Sequence, residues 1–443
     1  MANIYSFSRN ALLRRIGLVP GKKQQVFFIS LVALTIPMGY GYNSIALILF
    51  VLFSILAAQR HTTWIRFTTS LPAFLFILMA FSLLWSIDFK ISLKALGREA
   101  ALLFIPLAFC LNRPLKFRHV NQVLNNYGLG MCVFALYFFI RAVVRYFNTG
   151  DTNVFFYHEF STFKINAIYL SALFSLALFI FLAKKNKTFW GYTAIVFLLF
   201  VIFLLSSKNV ILIDVFLVIV YYLFFSPLPK KAKLSGLAAF LILFAGLAYF
   251  GNIGRRFSQE LDPVTEEKTG NGVHNVTINE AWNQDTFNEN DYFNGTAFRT
   301  YQIRIFKEML QEDGVFFTGY GLSASQIKIE EKGVEHDVDH SSEGAVSYNK
   351  MNFHNQYVEV FADLGFFGFF IVVILLLISL YKGLKSKYFV HIAFAVLMIS
   401  LFLTESFLWR QRGVVFFTLF YCLFNELVGL WKRKMPEPTP KTT

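Results

Sequence analysis

The sequence predicts an all-α polytopic membrane protein with about twelve transmembrane helices and one large extracytoplasmic loop between spans 9 and 10. Three observations predict it: an apolar composition, repeated apolar runs long enough to cross a bilayer, and an unbroken alternation of basic connections. Of 443 residues, 56% are hydrophobic and 15% charged, with a mean hydropathy of +0.52. Globular chains average about a quarter charged. A soluble fold would have too little polar surface to cover itself, and the 55 Phe and 20 Tyr add bulk that lipid tolerates and water does not.

The apolar runs fall near residues 26 to 41, 43 to 58, 69 to 86, 97 to 111, 123 to 146, 165 to 183, 189 to 205, 209 to 226, 235 to 250, 364 to 381, 388 to 404 and 413 to 430. Gly39, Tyr40 and Gly41 separate the first two, which read as a tight helical hairpin. A basic, polar stretch precedes the first run and no small-residue cleavage site follows it, so it does not read as a signal peptide. Basic residues of short loops stay in the cytoplasm. Arg9, Arg14, Arg15, Lys22 and Lys23 precede the first span, which puts the N-terminus inside. Every second connection is then basic: Arg60 and Arg66; Arg113, Lys116 and Arg118; Lys184, Lys185 and Lys187; Lys230, Lys231 and Lys233; Lys382, Lys385 and Lys387; and Lys432, Arg433 and Lys434. An even span count and two cytoplasmic termini follow. The expected organisation is residues 1–250 carrying spans 1 to 9, a loop domain at 251–352, spans 10 to 12 at 353–431 and a cytoplasmic tail at 432–443. The net charge of +14 is then a topology signal and asks for no nucleic acid.

The loop domain reverses the charge bias, with about 17 acidic against about 9 basic side chains over residues 251 to 350. Residues 263 to 295 show little periodicity and read as irregular. From Ala297 to Gln311, Tyr301, Ile305 and Met309 recur at helical spacing and Gly314 is placed as a C-cap, predicting an amphipathic helix on or near the membrane surface. Cys110, Cys132 and Cys422 all fall in predicted spans, which argues against disulfides and cysteine metal sites. No Walker-type loop and no dinucleotide fingerprint is present, which argues against ATP hydrolysis.

The sharpest motif closes the loop: Phe353-His354-Asn355-Gln356-Tyr357-Val358-Glu359-Val360, then Ala362-Asp363-Leu364-Gly365 and Gly368. His-Asn-x-Tyr-aliphatic followed by an acidic residue, Leu and paired Gly resembles the signature that closes the large periplasmic loop in the O-antigen ligase and Wzy polymerase superfamily. Arg299 on the loop helix and Gly319-Tyr320-Gly321 after it fit the same resemblance in order and spacing. Ser206-Ser207-Lys208, before the eighth span, resembles the family's Ser-Arg, with Lys208 keeping the charge but not the planar fork that binds phosphate bidentately. The motifs cover residues 190 to 380; elsewhere the resemblance is of topology.

The resemblance implies glycan delivered on undecaprenyl pyrophosphate and transferred at the periplasmic face of the bacterial inner membrane. Such a site needs fixed cations at the leaving pyrophosphate, for which Arg299, Arg304 and Lys208 are the candidates, and a base for a sugar hydroxyl, for which His354 is the candidate. His354 and Arg299 are the expected catalytic residues; Lys208, Arg304 and Asn355 are the expected substrate-binding ones. No cofactor and no metal are expected. Blander readings stand beside each: His354 as a packing or capping residue, Arg304 as an ion pair with Glu308 four residues on, Lys208 as a snorkelling lysine and Asn355 as a helix cap. Glu335, His336, Asp337, Asp339 and His340 read either as a cation site or as a solvated surface, and Asp214 is an ionisable group inside a span, with Lys208 or Arg98 as its candidate partner. The partners implied are a polyprenyl-pyrophosphate-linked glycan donor, a lipid A-core or glycan acceptor, and membrane lipid. A ligase that transfers to lipid A-core, a repeat-unit polymerase and, from another class, a secondary transporter all remain in play. The unmatched halves on either side of the loop disfavour the transporter.

Overall fold

The computed structural model describes residues 21–58, 66–161, 165–250, 274–338 and 347–431. It is 78% helical. The expectations for Arg9, Arg14, Arg15, Arg60, residues 263–273, Asp339, His340 and the tail from Lys432 lie outside the described residues.

Every apolar run falls on helix. Among the described residues, four helices are long and apolar enough to cross a bilayer by themselves: α2 (Tyr40–Ala57), α6 (Phe117–Thr149), α9 with its π-helical end (Lys208–Phe225) and α14 (Gln356–Ser386). Shorter apolar helices complete the bundle: α3 (Phe67–Ser82), α7 (Ala167–Leu182), α8 (Phe189–Leu204) and α15 (Phe389–Thr404). α1 (Lys22–Thr35), α10 (Lys230–Phe250) and α16 (Gln411–Trp431) flank them. The expected hairpin forms between α1 and α2, where Asn43 Nδ2 donates to Val32 O and Thr35 Oγ1 at 3.1 and 3.0 Å.

The run expected at 97 to 111 is realised differently. The helix is interrupted at Ala100, between α4 (Phe89–Glu99) and α5 (Ala101–Leu111). Eleven residues rise only about 17 Å, short of the hydrocarbon thickness. Asp88 starts α4 by accepting Ile91 N–H at 2.9 Å, and Pro106 removes a donor inside α5. α7 is buried along nearly its whole length, the position of a helix apolar on every side.

The loop domain is more ordered than its composition suggests. Within 274–295, β1 (His274–Val276) pairs in parallel with β2 (Asp291–Phe293), in register His274 to Asp291. Between them, α11 (Ile278–Asn283) opens with a Thr277–Glu280 capping box. The helix expected at 297–311 is α12 (Gly295–Asp313), ended by Gly314 at φ +65°. Its apolar face, Tyr301, Ile305 and Met309, packs into a second core with Val276, Phe293 and Phe353. That periodicity serves the domain's own core. α13 (Ser325–Glu335) follows.

Candidate functional site

Asn352 to Asn355 turn the chain from the loop domain into α14. Asn355 Oδ1 accepts the Tyr357 and Val358 N–H groups at 3.0 and 3.2 Å, supplying partners that a helix start lacks. Asn352 Oδ1 accepts His354 N–H at 3.1 Å, and His354 sits at φ +48°. That left-handed conformation costs a residue with a Cβ about 1 kcal/mol or more and fixes where its ring points. Phe353 is buried against Phe306, and its N–H donates to Glu359 Oε2 at 3.2 Å.

The His354 imidazole meets Phe298 of α12 edge to face, with ring centroids 5.8 Å apart. Its Nδ1 lies 3.4 Å from Glu405 Oε2. Glu405, 3% exposed, leaves α15 in an extended conformation. One residue earlier, the Thr404 carbonyl accepts Arg299 Nε and Nη2 at 3.1 and 2.8 Å, while Arg299 Nη1 donates to Gly295 O at 2.7 Å. The Thr404 hydroxyl accepts Asn209 Nδ2 at 2.7 Å. Asn209 also exchanges hydrogen bonds with Ser400, at 3.0 and 2.7 Å, which fixes the start of α9 beside the end of α15. Lys208 is the residue before it, two residues after Ser206 at φ +51°. The loop helix, the helix after the loop and the start of α9 thus converge on Thr404 and Glu405.

Residues 193–373 match the family model described as O-antigen ligase. Over these residues the chain is similar to the O-antigen ligase family. No curated protein matches it. The matched segment runs from α8 through the loop domain into α14 and includes Lys208, Arg299, Arg304, His354 and Asn355. Glu405 lies beyond it. A lone acidic residue in the short connection after the eleventh apolar run was the signal that could have found it, since a carboxylate at a span end is costly without a task.

Arg304 is taken up elsewhere in the matched segment. Its Nε pairs with Glu308 at 2.8 Å, its Nη1 donates to Gln284 O and its Nη2 lies 3.5 Å from Asp285. His336 completes this group, with Nε2 2.9 Å from Glu308 and Nδ1 2.7 Å from Asp285 O. Burial acts to raise the Glu308 carboxyl, but hydrogen bonds from His336 and Arg304 hold it below the usual carboxylate range. Glu335 pairs with Lys332 at 2.7 Å. Among the described residues no three His, Cys, Asp or Glu side chains gather as a metal would need.

The Gly319-Tyr320-Gly321 turn is a latch. Tyr320 and Gly321 N–H donate to Ala362 O and Asp363 O at 2.9 and 2.8 Å, and Phe366 N–H donates to Phe316 O at 2.9 Å. α14 is broken at Gly365, φ +66° and ψ −165°. A Cβ on Gly319 would lie 2.4 Å from the Asp363 carbonyl carbon, and one on Gly365 2.2 Å from Phe317 O. Asp363, buried, accepts Ser323 N–H at 2.7 Å and Ser325 Oγ–H at 2.6 Å. Arg98 donates to Ser323 Oγ at 2.9 Å and stacks 4.9 Å from the Trp409 ring. Asp214 accepts from Ser175 Oγ at 2.6 Å.

Proposed function

We propose that the protein transfers glycan from a polyprenyl pyrophosphate to a hydroxyl acceptor, lipid A-core in the first instance, at the periplasmic face of the inner membrane, with both termini in the cytoplasm. The family match supports the reaction class. The observation that carries the site is the meeting of Arg299, His354 and Glu405 at one end of α15.

In this reading Glu405 accepts a hydrogen bond from His354 Nδ1–H, which leaves Nε2 unprotonated to take the acceptor hydroxyl proton. The oxygen so freed forms a bond to the anomeric carbon as the bond from that carbon to the phosphate oxygen breaks. The electron pair leaves on the pyrophosphate. Arg299 and Lys208 stabilise that growing charge as preorganised cations. Arg304 and Asn355, whose contacts lie within the loop domain and the α14 cap, serve by holding α12 and His354 in place.

The test is the lipopolysaccharide of a strain lacking the protein. Loss of long glycan from lipid A-core, with accumulation on the carrier, is the expected result. Single-unit capping of the core would instead make the protein a repeat-unit polymerase, using the same step on a carrier-bound acceptor.

A further inference from the structure

α14 runs from the His354 turn to Ser386, and α15 returns from Phe389 to Thr404. The link between them, Lys387 and Tyr388, therefore lies at the far end of the bundle, about 24 Å along α15 from Thr404. A cavity of about 1300 Å³ opens there. It is bounded by the start of α6, the connection after α7, the π-helical end of α9 and the α14–α15 link. Three separate connections supply its cations: Lys116 and Arg118, Lys184 and Lys185, and Lys387. None of the described residues that line it is a carboxylate.

Five like charges around one space repel one another unless an anion joins them. Burial pulls the Lys184 ammonium below the usual lysine range, and its Nζ lies 4.5 Å from the centre of the Phe181 ring. α15 opens toward the space as well: no side chain caps it, and Phe389 and Val390 of its first turn line the cavity. A helix start of that kind presents N–H groups and positive charge to an anion. Tyr388 Oη donates to Asn121 Oδ1 at 3.1 Å and ties the α14–α15 link to α6 across the same space. The inner wall is apolar, with Leu124, Ile180 and Phe389 among its residues.

We propose that this cavity binds the phosphate-bearing headgroup of an anionic phospholipid, with its acyl chains against the apolar wall. Phosphate is the chemistry the cations and the α15 start share. The apolar wall, a volume far larger than one phosphate, and the position at the ends of bilayer-crossing helices favour a lipid over a soluble anion. The alternation of basic connections places this end in the cytoplasm, the face opposite the transfer site. The inference does not depend on the glycan-transfer reading.

Full-length protein extracted in mild detergent is examined by native mass spectrometry for retained lipid, beside the triple variant Lys184→Gln, Lys185→Gln, Lys387→Gln and its Arg counterpart. Retained phosphatidylglycerol or cardiolipin is expected to fall on the order of tenfold or more in the Gln variant and to persist in the Arg variant. Equal retention in the Gln variant overturns the proposal. Lys185 and Lys387 are exposed, so their single Gln variants repeat the comparison should the triple variant fold poorly. Delipidated protein is then heated with phosphatidylglycerol or with inorganic phosphate. Stabilisation by the lipid alone supports the assignment, and equal stabilisation by inorganic phosphate overturns it in favour of a soluble anion.

Discussion

A histidine at φ +48° is held by what surrounds it, so its loss should separate chemistry from folding. His354→Ala is expected to abolish transfer at normal protein level, and His354→Gln to give no rescue, because an amide takes no proton. Near-normal transfer by His354→Gln would remove the general-base role. Glu405→Gln keeps the shape but not the charge and should cost on the order of a hundredfold in rate with little change in acceptor KM. Arg299→Ala should cost a similar factor, with Arg299→Lys recovering part of it. His354 and Arg299 were singled out in the sequence because each belongs to a spaced motif. Glu405 was not: its meaning comes from a contact across 51 sequence positions, and its neighbours form no pattern. Arg304 shows the converse. Its charge suggested phosphate, and the Glu308 four residues on, visible in the sequence, is one of the partners it meets.

At the scale of elements, the latch between the Gly319 turn and the break in α14 has no spare volume. Gly319→Ala or Gly365→Ala should destabilise by several kcal/mol and reduce folded yield, since backbone rather than a flexible tip is in the way. Gly41→Ala, inside α2 with nothing within 4 Å, should be neutral or mildly stabilising by up to about 1 kcal/mol. The loop helix carries a pH prediction. Glu308 titrates lower when folded than when unfolded, so its contribution is present above the unfolded value of about 4.3 and lost as pH falls through the folded one. Acid should therefore loosen α12 from α13, and Glu308→Gln should lower the melting temperature at neutral pH while flattening its fall below about pH 4. The periodicity of α12 was legible; its surroundings were not. Tyr301, Ile305 and Met309 say that one face is buried, and only the packed domain says against what. β1 and β2, three residues each, are too short to leave an alternating pattern.

For the molecule as a whole, the alternation of basic connections makes a prediction that needs no structure. A cysteine replacing Tyr292, which is exposed in the loop domain, should react with a membrane-impermeant maleimide in intact spheroplasts. One replacing Lys185 should react only after permeabilisation. Labelling of both from outside would overturn the orientation. Helices were the most legible feature, because lipid demands backbone pairing within each segment and apolar runs follow. The lengths of individual helices were less so. The interruption at Ala100 divides one expected span in a way that composition does not record.

The Arg299 guanidinium donates twice to the carbonyl of Thr404, through Nε and Nη2. A headgroup that carries no more charge than a peptide dipole gains nothing by displacing it, whereas a diphosphate does. On the proposed reading, a diphosphate that takes up these donors meets a cation already held at the end of α15, which gives its full strength only as charge builds on the departing phosphate.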